Sequence, residues 1–256
     1  LVGGFDKVYE LNRNFRNEGI STRHNPEFTM LEVYTAYQDV NDVMALTEAI
    51  VKKAAQDVFG TLAFTSENQT MDLSRWERVS FADLMKEKFG IEPDEEPKKW
   101  VDKLKKKGVK IEGKDLSRTQ LINIVGELLE PGADRGKKGG HPFFVTDYFT
   151  ELCPLAKKSK KNPALSERFE LYIGGMEIAN GYSELNDPIE QRERLVAELK
   201  EKGKENTFQT LDEDFLTALE HGMPPAGGLG LGIDRLVMLL TQKPSIREVI
   251  FFPQIR

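Results

Sequence analysis

Cysteine is nearly absent: the 256-residue chain holds one, Cys153. A lone thiol excludes an intrachain disulfide framework and a cysteine-built zinc cluster, and it fits a reducing compartment. The chain also lacks an apolar run of about 18 residues and a basic-then-apolar pattern at its start, so the expected location is the cytoplasm and no membrane partner is expected. Positive charge is not in excess either. With 36 basic and 42 acidic residues the formal charge is −6, so any nucleic acid must be met by local patches rather than by a global cationic field. An initiating methionine is missing as well: Leu1-Val2-Gly3-Gly4 runs straight into a strand pattern, which reads as a fragment of a longer chain. The rest is ordinary, 39% hydrophobic and 30% charged residues, enough for a sizeable core in one large or two small domains.

The most informative stretch lies near the start. From Lys7 to Glu18 the chain alternates, with Tyr9, Leu11 and Phe15 on one side of the pleat and Glu10, Asn12, Asn14, Arg16 and Glu18 on the other. After a polar loop, alternation resumes from Glu27, setting Phe28, Met30, Glu32 and Tyr34 on one face. A hairpin carrying a guanidinium, carboxylates, a histidine and an aromatic has the parts to hold a nucleotide: arginine forks onto phosphate, the ring stacks on a base, and a carboxylate accepts from an amine. Taken by its periodicity alone, the same stretch also fits an exposed hairpin with a solvated polar face.

Further on, helices are expected from Asn41 to Gly60 with Asn41 as cap, from a Ser80 cap, from Ser117 to Leu129, from Pro188 to Lys202, and from Asp212 to Gly222. Strands are expected near Thr61–Asp72 and over Pro142–Tyr148. From Glu92 to Gly113 the composition shifts, with Pro93, Pro97 and a lysine run from Lys103 to Lys107, as expected of a peripheral helical insertion with a solvated face, set at about residues 75–135. The glycine-rich loop 132–140 is expected to be mobile, and it matches no phosphate-loop pattern.

A second hairpin is expected around Gly174-Gly175, a pair that favours a tight turn. Glu170 then lies on one strand and Glu177 and Glu184 on the next. Seven is odd, so Glu177 and Glu184 share a face only if the strand carries a bulge, for which Gly181 is the expected place. Two carboxylates near a triphosphate suit magnesium, while three exposed glutamates on sheet edges is the other reading. Finally Gly227-Gly228-Leu229-Gly230-Leu231-Gly232 makes a strand that a ligand can approach closely, and the following helix holds Arg235 in its first turn.

Three runs go beyond periodicity. Phe15-Arg16-Asn17-Glu18 with Arg23-His24-Asn25-Pro26-Glu27-Phe28-Thr29 resembles motif 2 of the class II aminoacyl-tRNA synthetases, and Gly227 to Leu240 resembles motif 3, a resemblance that Pro244 to Pro253 continues. Glu177-Ile178-Ala179-Asn180-Gly181-Tyr182-Ser183-Glu184-Leu185-Asn186-Asp187 is similar to the lysyl branch. The resemblance runs over residues 1–256 and implies one α+β catalytic domain, an antiparallel sheet flanked by helices, with the 75–135 insertion inside it. It implies a lysine–tRNA ligase, an ATP-dependent enzyme that forms lysyl-adenylate and pyrophosphate and then passes lysine to tRNA(Lys). By the same resemblance Arg16 and Arg235 are the catalytic cations. Arg16, Glu18, His24, Phe28, Glu170, Glu177 and Arg235 would hold ATP, Glu170 and Glu177 would hold Mg2+, and Glu32, Tyr34, Asn180 and Glu184 would hold lysine. The family's motif 1 and anticodon-binding domain would precede Leu1, and a homodimer is implied for the longer protein. A paralogue that lysylates a translation factor and a non-catalytic binding module stay open as alternatives; an aspartyl or asparaginyl enzyme is disfavoured by Asn17-Glu18 and Glu184.

Overall fold

The computed structural model describes residues 1–17, 19–66, 69–111, 116–129, 140–201 and 210–254. A seven-stranded sheet organises the chain. Its strands are β1 Lys7–Phe15, β2 Glu27–Ala36, β5 Glu77–Ser80, β6 Phe143–Thr146, β7 Arg168–Ile173, β8 Met176–Ser183 and β9 Ala226–Gly232. They lie in the order β1-β2-β9-β8-β7-β6-β5. All neighbours run antiparallel except β5 and β6, which are parallel. A separate hairpin, β3 Ala63–Ser66 with β4 Gln69–Asp72, accounts for the strand pattern expected near Thr61–Asp72. Seven α-helices are found among the described residues, so the fold is α+β as expected.

The two faces of the sheet are covered differently. On one lie α1 Val40–Phe59 and α7 Ile233–Thr241, whose apolar stripes bury Val43, Met44, Val51, Leu236 and Leu239 against Phe169, Leu171, Leu229 and Leu231. Burying side chains of this size contributes about 1.5–3 kcal/mol each. On the other face, at the β5–β7 end, a second core joins Phe143 and Val145 to α2 Phe81–Phe89, α3 Pro97–Lys106 and α4 Arg118–Leu128. The remaining part of that face, over β2, β9 and β8, stays open and becomes the cavity described below.

Local chemistry explains most boundaries. The α1 cap is Asp39 rather than Asn41: its carboxylate accepts from the Asn41 and Asp42 amides, and the Asp42 side chain accepts from the Asp39 amide in return. Gly60 ends that helix in the left-handed region, and Ser80, Ser117 and Asp212 cap α2, α4 and α6 Glu213–Glu220. The remaining helix, α5, spans Pro188–Glu201. Strand β5 has no counterpart in the sequence pattern; four residues leave too little alternation to register. The loop expected to be mobile lies, except for Gly140, outside the described residues. Edge strand β1 turns Tyr9, Leu11 and Phe15 to solvent, at 78%, 58% and 73% exposure.

Candidate active site

The cavity, about 300 Å³, sits over the middle of the sheet. Register builds its floor in rows, because residues opposite one another on paired strands share a face. One row reads Glu10, Glu32, Gly230, Asn180, Glu170, and the next reads Val8, Tyr34, Gly228, Tyr182, Arg168. The middle strand contributes only glycine to both rows, so the side chains of β2 and β8 face one another across a trough. Gly228 is required for a specific reason: a Cβ there would fall 1.8 Å from Glu184 Oε1 and 3.1 Å from the Tyr34 ring.

The β7–β8 hairpin closes through Gly174 and Gly175, both at positive φ, between the paired Ile173 and Met176. This is the two-residue turn that right-twisted strands favour. Glu177 and Glu184 do share a face, but the bulge responsible is at Ile178. Leu171 pairs with Ala179 and Tyr172 with Glu177, which leaves Ile178 extra, and Ile178 and Ala179 are buried in succession. Gly181 has a different duty. A side chain there would meet the Phe169 ring and the Gly228 carbonyl at 2.8 Å, so it serves the packed side of the sheet.

At one end of the trough lie the cationic and aromatic groups. The Arg16 guanidinium stands 5.4 Å from the centre of the Phe28 ring, and Arg16 itself is exposed. Arg235, in the first turn of α7, donates to the Glu177 carbonyl at 2.8 Å and to its carboxylate at 3.4 Å. Its Nε also donates to the Arg23 carbonyl, and Arg23 donates to the Gly175 carbonyl at 2.7 Å, tying the β1–β2 loop to the β7–β8 turn. His24 is exposed in that loop, with Nδ1 2.8 Å from Ser21 Oγ. Glu18 lies outside the described residues.

At the other end stands Glu184. Its Oε1 is shut off from solvent and has no hydrogen-bond partner among the described residues. Burial pushes this carboxyl up to about 8. Burial, then Glu184 and Glu32, pushes the Tyr34 hydroxyl up to about 12, and Tyr182 is raised by burial and Glu184. An enclosed carboxylate flanked by phenols, with no cation paired to it among the described residues, has the chemistry to accept a cationic group.

Glu177 is raised by burial and by the charge of Glu170, with Arg235 opposing. Glu170 itself is not part of the cavity lining. Its Oε2 accepts from the hydroxyls of Tyr148 at 2.6 Å and Tyr172 at 2.7 Å, and its Oε1 accepts from Arg168 at 2.6 Å. A carboxylate offers about four lone-pair directions, so this one keeps room for a cation. The mutual repulsion of Glu170 and Glu177 is what a divalent ion would relieve, and two neighbouring carboxylates suit a small hard cation such as Mg2+. No group of three or more His, Cys, Asp and Glu poised as a protein-only cage is found among the described residues.

Of the expected residues, Arg16, His24, Phe28, Glu32, Tyr34, Glu177, Asn180, Glu184 and Arg235 line one cavity. The lining also includes residues absent from the sequence-based set, among them Arg23, Tyr182 and Asp234. Tyr182 was legible, since it lies two residues from both Asn180 and Glu184 on one strand face. Asp234 accepts from the Thr29 amide at 2.6 Å, a link over 205 residues for which the sequence holds no signal.

A seven-stranded, mostly antiparallel sheet, open over its centre and lined by motif 2 and motif 3 arginines, defines the catalytic fold of the class II synthetases. The family model for tRNA synthetases class II (D, K and N) matches residues 1–256, and the chain belongs to that family. It is 52% identical over 260 residues to the lysine–tRNA ligase of Trichormus variabilis, covering 100% of this chain and 46% of that protein. It is 50% identical over 261 residues to the one from Carboxydothermus hydrogenoformans, with 52% of that protein covered, and 48% identical over 258 residues to the one from Bacillus subtilis, with 51% covered. The chain thus spans about half the length of these relatives.

Proposed function

We propose that this chain is the ATP- and lysine-binding catalytic unit of a lysine–tRNA ligase. The observation that carries the reading is Glu184: a carboxylate whose Oε1 is shut off from solvent and unpartnered among the described residues, at the far end of a trough whose near end presents Arg16, Phe28 and Arg235. An amino acid with a cationic tip, bound beside a nucleotide, uses both ends at once.

In this reading Phe28 stacks on adenine, Arg16 takes the α-phosphate and the amino acid's carboxylate, and Arg235 flanks the other face of the adenine and reaches the γ-phosphate, with His24 near the phosphates and Glu18 on the adenine amine. Glu32 accepts from the α-ammonium. Glu184 and Tyr34 receive the ε-ammonium, and a ligand lacking that charge leaves the carboxylate unpaired, which is the source of selectivity. Glu170 and Glu177 would hold Mg2+, whose chemistry there is neutralisation of phosphate charge. The attack of the amino acid's carboxylate on the α-phosphorus needs no protein nucleophile. The residues act by alignment and by fixed positive charge.

The helices α2–α4 are read as an insertion within the single catalytic domain. The homodimer implied by the family is supported by the apolar stripe of Tyr9, Leu11 and Phe15 on edge strand β1. No described helix is long and apolar enough to cross a membrane.

The test is lysine-dependent ATP–pyrophosphate exchange, run on this chain and on the longer protein that contains it. Exchange with lysine and not with aspartate or asparagine supports the reading. A longer protein that binds ATP and activates no amino acid refutes it. Transfer of labelled lysine to tRNA(Lys), or instead to a protein, identifies the acceptor.

A further inference from the structure

We propose that Arg168 is a positioning residue for the amino acid: by occupying the acceptor side of the Asn180 amide, it leaves only the donor side facing the trough and makes Asn180 a reader of the substrate's carboxylate. The inference rests on the reading of the site given above.

Arg168 lies on β7 behind the cavity lining, its side chain 17% exposed. Its Nε donates to Asn180 Oδ1 at 3.2 Å. Nη2 donates to Glu170 at 2.6 Å, and Nη1 donates to the Leu152 carbonyl at 3.0 Å and to Cys153 Sγ at 3.3 Å. The guanidinium also lies 4.8 Å from the centre of the Tyr148 ring. With partners on four sides it cannot swing away.

The orientation of the Asn180 amide follows from chemistry. A guanidinium has five donors and no acceptor, so the atom turned toward it is the carbonyl oxygen. The NH2 group is then the part left for the trough. A free amide could flip and offer a carbonyl, which attracts an ammonium and repels a carboxylate; Arg168 removes that choice. Across the trough the partner in the same row is Glu32, with only Gly230 between. One row therefore presents an acceptor on β2 and a donor on β8, the complement of an α-ammonium and an α-carboxylate. The neighbouring row, with Glu184 beyond it, is left to the side-chain tip.

The experiment uses the full-length protein and compares Arg168→Lys, Asn180→Ala and the double variant. It reads the KM for lysine in pyrophosphate exchange and the Ki of L-lysinol, which keeps both amines and lacks the carboxylate. Arg168→Lys is expected to raise the lysine KM about tenfold, the worth of one well-placed hydrogen bond, and to leave the lysinol Ki within about twofold. The double variant should be no worse than Asn180→Ala, because Arg168 acts through that side chain. Asn180→Asp, which keeps a partner for Arg168 and so guards against misfolding, should raise the lysine KM by more than about tenfold and spare lysinol. A parallel rise for lysine and lysinol overturns the proposal. So does a fall in kcat at constant KM, or single effects that multiply in the double variant. If the unsubstituted protein shows no lysine-dependent exchange, the lysine reading itself falls and this inference with it.

Discussion

Replacing Glu184 by glutamine separates what this residue does for stability from what it does for binding. Its carboxyl is held near 8 against an ordinary value of 4.5. Between those two values the unfolded chain has lost the proton and the folded chain keeps it, so folded stability falls as pH rises. At about 1.4 kcal/mol per pH unit the penalty is about 3 kcal/mol at pH 7 and levels off near 5 kcal/mol above pH 8. Glutamine has nearly the same shape and no charge to lose. The Glu184→Gln variant should therefore match the native chain near pH 4 and gain on it progressively up to pH 8, in urea unfolding followed by circular dichroism. Lysine activation should meanwhile drop at least about a hundredfold, since the ε-ammonium meets a neutral amide. A stability difference that does not change with pH, or a loss of stability above pH 7, would refute the reasoning.

Other outcomes follow from the same geometry. Lysine binding near pH 7 should release a proton from Glu184, whose carboxyl is held near 8, as the incoming cation ionises it; titration calorimetry in buffers of different ionisation enthalpy reads this, and no buffer dependence would count against it. Gly228→Ala should displace the Glu184 carboxylate and raise the lysine KM about tenfold or more while ATP binding persists, because the new Cβ collides with the tip of a movable side chain. Phe28→Ala should raise the KM for ATP about five- to tenfold with little effect on lysine, through loss of ring stacking. Tyr148→Phe should cost about 1–3 kcal/mol in denaturant unfolding, since a charged carboxylate loses a donor in a buried network.

Much of the site was legible because β-strands have a period of two. Phe28, Met30, Glu32 and Tyr34 had to share a face once the strand was recognised, and they do. The expected bulge is present in kind and displaced in position. Gly181 looks like its cause in the sequence, while the extra residue is Ile178, an ordinary strand former whose irregularity is set by pairing with β7. Likewise the hydrogen bonds that gather Tyr148, Tyr172 and Arg168 around Glu170 join segments up to 22 residues apart. Local pattern could name Glu170 as a carboxylate near the site but not foresee how many donors it already serves. The local pattern put the α1 cap at Asn41, whereas Asp39, two residues earlier, holds it: its carboxylate accepts from the Asn41 and Asp42 amides and its own amide donates to the Asp42 side chain.

The glycine floor of β9 turns the site into a ruler. Its two marks, Arg16 and Glu184, belong to segments held on opposite sides of a strand that has no side chain to lend between them. The spacing of their backbones is therefore set by strand pairing, which is stiff. On the proposed reading, a substrate one methylene shorter finds no β9 side chain able to lean in and close the gap. Redesign for other chain lengths would have to move a mark, by shortening Glu184 to aspartate or by altering Tyr34, because the scale between the marks cannot be compressed.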